Sequence, residues 1–381
     1  MSSAAQKLIQ VYEQAEKRLV KIILSKTNHG SPAIYERQLL RQIAVEVKRL
    51  RGATAPIVEQ VVMDGWRSGT QGLIDDLKQA GVSLPWNSFS VLNRGQIELL
   101  VSNAVDGMDR ALNLVGRRLN DEIRDIGVRV SADRTASGMT VRKMQKELER
   151  RLYSTSEVRQ SGGLIGVRYR NGRIAPLDTY SKMAARTITA EAQNKAKFSQ
   201  AADLGYGLVR CTAHSPTCEI CAKYQNRVYA LTREFAEGKL KGPDGEPLFF
   251  PYLYDTALVH GYETIHPNCI HRFVVLPHRA YRREEVARWS RDSQKPFKDA
   301  RSDAERKAYL GEQVKNRLRN QDYRQWQKYK ALLPSDTPNF GAFRNMKKWD
   351  SEKWQELQKD FRYIQRQMDD NPPPEQLKLR L

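Results

Sequence analysis

Residues 211–221 read Cys-Thr-Ala-His-Ser-Pro-Thr-Cys-Glu-Ile-Cys, and residues 266–271 read His-Pro-Asn-Cys-Ile-His. These two stretches hold all four cysteines of the chain (Cys211, Cys218, Cys221, Cys269) and three of its six histidines, with His260 and His278 close by. Four cysteines in 381 residues make no disulfide framework, and such clustering in a reducing compartment points to metal or catalysis. A Cys-x-x-Cys turn puts Cys218 and Cys221 on one side of a tight knuckle. A second pair, His266 and Cys269, completes a tetrahedron suited to Zn²⁺, with His271, Cys211 and His214 as alternates. The 44 residues from 222 to 265 exceed the loop of a small finger. They read as a structured insertion: a strand over Asn226–Leu231, then a loop with Gly242-Pro243-Asp244-Gly245 and Pro247.

Other chemistries use the same residue types. A redox Cys-x-x-Cys needs a strand-to-helix setting, and Cys218 instead follows a Ser-Pro-Thr turn. Buried thiols without metal are a plain structural alternative. A zinc deaminase needs Glu two residues after its histidine, where Pro216 follows His214. A ββα-metal nuclease stays open, with His266 and Asn268 as its essential pair, although the usual strand, helix and second catalytic histidine do not follow. Glu219 and Glu263 are the only carboxylates close in sequence, and both read as solvated residues. A closed structural zinc site is the favoured reading, with no catalytic residue assigned.

Working outward, the first 155 residues read as helices. Ala4–Ser25 repeats Leu8, Ile9, Tyr12, Ala15 and Leu19 at helical spacing, and Ser31-Pro32 opens a helix expected to end at Gly52. Thr54 and Pro56 start another, Pro85 and Asn87 break the pattern, and helices follow over 96–126 and 140–153. Around Asn171-Gly172 the period turns to that of a β-hairpin. Asp178 is placed to cap a helix ending at Gly205, and Tyr206–Cys211 reads as a strand. From Arg282 onward the text is basic and helical, interrupted at Pro334–Pro338, with a terminal tail. The expected organisation is α+β: a helical region over 1–155, a small zinc-stapled α+β domain over 156–280, and a basic helical region over 281–381.

The net charge of +20 is unevenly placed: 33 basic and 21 acidic groups in 1–210, seven of each in 211–280, and 24 against 16 in 281–381. Such flanks attract phosphate polymers or acidic protein surfaces. Non-specific contact with double-stranded DNA would fall first on Arg317, Arg324, Lys328, Lys330, Lys347 and Lys348, with Trp326 and Trp349 nearby. No apolar run approaches the ~18 residues of a membrane span, and the N-terminus becomes charged too early for a signal peptide. A cytoplasmic protein without a membrane partner is expected.

Pro176-Leu177-Asp178-Thr179-Tyr180, Glu191-Ala192-Gln193-Asn194, Val209–His214, Cys218–Ala222, Gln225–Leu231 and His266-Pro267-Asn268-Cys269 together resemble the minor capsid proteins of tailed phages related to the Mu F-type head morphogenesis domain. The text at 333–354 is similar to their C-terminal regions, so the resemblance covers roughly residues 170–365. Two positions depart from the family pattern. The turn that usually holds Gly reads Gln225-Asn226-Arg227, and the last Cys of the late motif is His271. Asn tolerates that turn, and His is as good a zinc ligand as Cys. The resemblance implies a portal-proximal virion component contacting portal or major capsid protein. It would act in head assembly, with roles in DNA packaging or ejection, and reside in the host cytoplasm during assembly. The alternative is a metal-dependent nuclease packaged with the genome.

Overall fold

The computed structural model describes residues 1–24, 32–84, 93–137, 140, 143–144, 147, 151, 166–169, 174–256, 266, 269, 271–333 and 335–370. The fold is α+β with a helical majority. The described helices are α1 (Ser3–Leu24), α2 (Pro32–Gln79), α3 (Arg94–Ser137), α4 (Leu177–Asp203), α5 (Glu219–Ala222), α6 (Arg233–Ala236), α7 (Arg283–Ser293), α8 (Asp303–Leu332), α9 (Phe340–Lys348) and α10 (Glu352–Asp370). The strands are β1 (Gly166–Arg168), β2 (Ile174–Pro176), β3 (Leu208–Cys211), β4 (Val228–Ala230), β5 (Glu237–Lys241), β6 (Pro247–Phe249) and β7 (Phe273–Val275). No described helix is long and apolar enough to cross a membrane. Two compact units divide the chain: one holds residues 1–8, 55–106 and 182–313, the other 9–54, 107–181 and 314–381.

The first unit carries the Cys/His motifs. Its central sheet has the order β4–β3–β7, antiparallel throughout. Side chains alternate across it, as the pleat requires. Val209, Cys211, Tyr229, Phe273 and Val275 point to a layer that includes Leu73 and Leu77 of α2 and Phe198 and Ala201 of α4. Leu208, Val228 and Ala230 point the other way, onto Phe235, Leu248, Phe250, Val286 and Trp289. Helix α4 approaches α2 closely at Gly65 and Gly69. A Cβ at Gly69 would lie 2.2 Å from the Gln193 carbonyl oxygen, and one at Gly65 would lie 2.8 Å from the Ala192 Cβ. Gly205 ends α4 with φ +78°, and the Tyr206→Ala201 and Gly205→Ala202 backbone hydrogen bonds form the paired C-terminal closure that such a glycine permits.

In the second unit Tyr12 is fully buried, its ring 6.4 Å from that of Tyr180. Arg18–Glu46 and Arg51–Asp109 form ion pairs, both at 2.7 Å. Strand β1 pairs antiparallel with β2. Tyr329, Phe343, Trp354 and Phe361 make a separate aromatic core for the C-terminal helices, with the Tyr329 and Phe361 rings stacked at 4.0 Å.

Four expectations are corrected. The break at Gly52 does not occur, because α2 continues through Pro56. A proline clashes with the carbonyl four residues before it, here that of Gly52, and forfeits one hydrogen bond. Neighbouring Thr54 is fully buried and donates its hydroxyl to the Leu50 carbonyl at 2.8 Å. Asp178 does not cap α4: it lies inside the first turn, and the Asp178 N–H donates to Glu16 Oε2 at 3.2 Å. The 96–126 helix extends to Ser137, burying Val130 beyond its expected end. The Gly242–Glu246 segment joins a hairpin, with β5 and β6 paired across it. Most of the expected 140–153 helix, the Asn171-Gly172 turn, Ser31, Pro85, Asn87, Pro334 and the terminal tail lie outside the described residues.

Candidate metal centre

Strand β3 leads into the first motif and the second leads into β7, so the β3–β7 pairing brings the two toward each other. The loop between β3 and β4, which carries the first motif, is closed at its base: the Asn226 N–H donates to the Cys211 carbonyl at 2.9 Å, and the Cys211 N–H to that of Arg227 at 3.0 Å. Asn226 takes φ +63° there, the conformation that Asn tolerates better than most residues. Cys218 caps the single turn α5, its Sγ accepting the Cys221 N–H at 3.3 Å. The turn therefore fixes both thiols on one side of the knuckle. A second turn, closed by the Cys269 N–H to the His266 carbonyl at 3.0 Å, presents His266 and Cys269.

The side chains converge. His266 Nε2 lies 3.3 Å from Cys218 Sγ and 3.1 Å from Cys221 Sγ. Cys221 Sγ lies 3.8 Å from Cys269 Sγ, and Cys269 Sγ lies 3.5 Å from His271 Nδ1. Two triads thus share Cys221: one with Cys218 and His266, the other with Cys269 and His271. The spacing suits a tetrahedral ion, since two Zn–S bonds of ~2.3 Å at the tetrahedral angle place the sulfurs ~3.8 Å apart. Hydrogen bonding between Cys221 and Cys269 pushes the Cys221 thiol up and the Cys269 thiol down, with His271 also lowering Cys269.

The two remaining candidates stand apart from these triads. Cys211 is buried in the apolar layer under the sheet, where burial pushes its thiol well up. It is a core thiol whose S–H points to the Thr212 carbonyl at 3.7 Å. His214 packs against His271 with ring centroids 4.0 Å apart and planes tilted by 43°, and burial, then the charge of His271, lowers its pKa. His278 lies between Tyr206 and Phe235. Glu219 is exposed, and no carboxylate joins the cluster among the described residues. His260, Glu263 and Asn268 lie outside them.

Three supports are not legible in the motifs. Arg301, nearly buried, donates from Nη1 to the Thr217 carbonyl at 2.9 Å and pairs with Asp299 at 2.7 Å, clamping the residue before Cys218. His271 Nε2 meets Gln225 Oε1 at 3.3 Å, which orients the ring. Lys197 Nζ donates to Asp76 Oδ2 at 2.8 Å and to the Phe273 carbonyl at 3.1 Å, while the Val275 N–H donates to the same Asp76 oxygen at 2.9 Å. That ion pair holds β7, and with it the strand-side end of the second motif. The signals for these residues are single charges or amides far off in sequence, which no local pattern marks.

The basic residues are differently employed. Lys347 Nζ donates to Asp322 and Gln325, each at 2.7 Å, and Lys330 Nζ donates to the Thr337 carbonyl at 3.0 Å. Lys348 Nζ sits 4.8 Å from the centre of the Trp349 ring. Arg317 and Arg324 are exposed on α8, and the Lys328 side chain lies outside the description. Trp326 is not a free stacking surface, since its indole N–H donates to the Pro338 carbonyl at 2.8 Å.

A family model described as phage minor capsid protein 2 matches residues 1–368 of the chain. No curated protein and no solved structure matches it. The chain belongs to the phage minor capsid protein 2 family.

Proposed function

We propose that this phage minor capsid protein is a portal-proximal structural component of the head, with a zinc ion as a staple in its α+β region. The observation that carries the reading is the pair of Cys/His triads that share Cys221, one with Cys218 and His266 and one with Cys269 and His271, joined by no carboxylate among the described residues, within a chain matched by the family over nearly its whole length. Zinc bound there supplies a cross-link between the β3–α5 loop and the loop before β7. His271 orients Cys269, and Arg301 holds the knuckle from the C-terminal side. In this reading the helical region over 1–155 docks on portal or major capsid protein, the 156–280 region carries the staple, and the basic 281–381 region faces packaged DNA. Contact with DNA is non-specific, and exposed Arg324 and Lys348 are its first candidates.

Mass spectrometry of purified virions and empty heads, with metal analysis of the same protein, tests this reading. The chain is expected in both particles at low copy, with one zinc per chain. Its absence from both particles would overturn the reading, and metal-dependent cleavage of duplex DNA by the purified protein that is lost on Asn268→Ala would replace it with the packaged-nuclease reading.

A further inference from the structure

We propose that residues 294–302, the segment between α7 and α8, form a strap over the metal knuckle, that strap and metal strengthen each other, and that Arg301 is the positioning residue of the pair. The metal is the zinc ion of the reading above, on which this inference rests. The strap has no regular secondary structure, so its carbonyls and the last ones of α7 need partners from elsewhere. Arg227, immediately before β4, supplies them. Its Nη1 donates to the Ser293 carbonyl at 3.2 Å and also to that of Lys295, and its Nη2 donates to that of Pro296 at 2.6 Å. The Arg227 guanidinium carbon lies 4.3 Å from the centre of the Phe297 ring, and that ring packs 5.6 Å from the ring of Tyr224. The Tyr224 N–H in turn donates to the Cys221 carbonyl at 2.9 Å. One end of the strap is thus tied to the exit of the Cys-x-x-Cys turn.

The other end is tied to the entrance. Arg301 Nη1 donates to the carbonyl of Thr217, the residue before Cys218, at 2.9 Å, while its Nε and Nη2 donate to Asp299 Oδ1 and Oδ2 at 2.9 and 2.7 Å. The two-bond fork fixes the guanidinium plane, so the bond to Thr217 forms from an already ordered group. Hydrogen bonds to Asp299, and behind them the charges of Glu219 and Cys218, hold Arg301 in its charged form. That charge has a use at the occupied centre. Three thiolates outnumber the two charges of Zn²⁺, so a set of Cys218, Cys221, Cys269 and His266 carries a surplus negative charge that a fixed cation beside it offsets. All these residues lie in the first compact unit. Bracketed at Thr217 and Tyr224, the knuckle is ordered for metal by the strap, and metal that fixes the knuckle must hold the strap by the same factor.

The test uses the full-length chain and zinc itself, with a chromophoric chelator in competition. Arg301→Ala and Phe297→Ala, neither of which removes a ligand, should each weaken zinc binding about tenfold. Arg301→Lys keeps the charge without the fork and should recover part of that loss. Chymotrypsin cleavage after Phe297 reads the strap directly. Zinc should slow it about tenfold in the wild-type chain, and the zinc-saturated Arg301→Ala chain should be cut faster than zinc-saturated wild type. If Arg301→Ala does not fold, Phe297→Ala and the wild-type cleavage rates decide. Zinc bound as tightly by both alanine variants as by wild type, no recovery with lysine, or cleavage after Phe297 indifferent to zinc would each overturn the strap and leave the zinc reading standing. A wild-type chain that binds no zinc would overturn both.

Discussion

Replacing Cys221 with serine removes the one sulfur common to both ligand triads, so it should strip the metal whichever histidine closes the site. The least cost follows from chain geometry. Cys218 and His266 are 48 positions apart, and releasing a cross-link across a loop of about that length returns ~4 kcal/mol of chain entropy to the unfolded state. A structural zinc adds bond energy beyond closure, up to the ~10 kcal/mol or more seen where metal drives folding outright. The apolar layers on both faces of the sheet oppose complete collapse. The expected loss is therefore at least ~4 kcal/mol, most of the stability of an ordinary domain. Metal content per chain and urea unfolding, each with and without chelator, provide the assay, with hydrogen exchange in β3, β4 and β7 locating the damage. Cys211→Ala is the control: it should keep the metal and lose only what a small cavity costs, ~1–2 kcal/mol. A Cys221→Ser protein that retained one metal per chain and the wild-type midpoint would refute the reasoning, as would a wild-type midpoint indifferent to chelator.

Three further outcomes are expected. Burial, then the Asp178 carboxylate, pushes the Glu16 carboxyl up to about 8; its stabilising share is complete below the unfolded carboxyl range and disappears as pH rises through about 8. Glu16→Gln should therefore flatten the pH profile of melting and gain on wild type by a few kcal/mol (order of magnitude) between about pH 5 and 9, and parallel profiles would contradict this. Gly69→Ala must displace the Gln193 backbone and should cost at least ~1–3 kcal/mol in urea unfolding, whereas Gly52→Ala, whose Cβ meets nothing, should gain ~0.5–1 kcal/mol; equal midpoints would be inconsistent with the close helix contact. In duplex-DNA titrations at several salt concentrations, Arg324→Ala and Lys348→Ala should each lower the salt slope by about one, while Lys347→Ala, whose amine is engaged by Asp322 and Gln325, should leave it unchanged.

The site was legible to the extent that its chemistry is local. A Cys-x-x-Cys turn fixes its own geometry through the Cys221 N–H to Cys218 Sγ bond, so the motif carries its shape wherever it sits. The same holds for Gly205 and Asn226, whose positive φ values are set within their own turns. What escaped is held by partners remote in sequence. Glu16 stands 162 positions from the helix start it caps, and Asp76 lies 121 from Lys197 and 199 from Val275. Pro56 signals a helix start in the sequence because its local cost is real. The helix runs through because tertiary packing around Thr54, Val58 and Val61, all fully buried, outweighs one lost hydrogen bond.

The placement of the cluster follows from how little the sheet can do alone. Strands β3, β4 and β7 span only four, three and three residues, below the length at which a strand usually holds its register unaided. Strand β7 must also return to β3 after an excursion of more than 40 residues through β4, the β5–β6 hairpin and the second motif. The closure entropy of that excursion rests on three pairs, Val209 with Val275, Arg210 with Val274, and Cys211 with Phe273. Asp76 and Lys197 fix β7 from the helical side through the Val275 N–H and the Phe273 carbonyl, and the Cys/His cluster lies beyond its N-terminal end, where the second motif enters the strand. An ion joining Cys218 and Cys221 to His266 and Cys269 would close the excursion there and set the β3–β7 register. The ligands belong in the two connecting loops for that reason, leaving the sheet positions free for Val209, Tyr229, Phe273 and Val275 to pack.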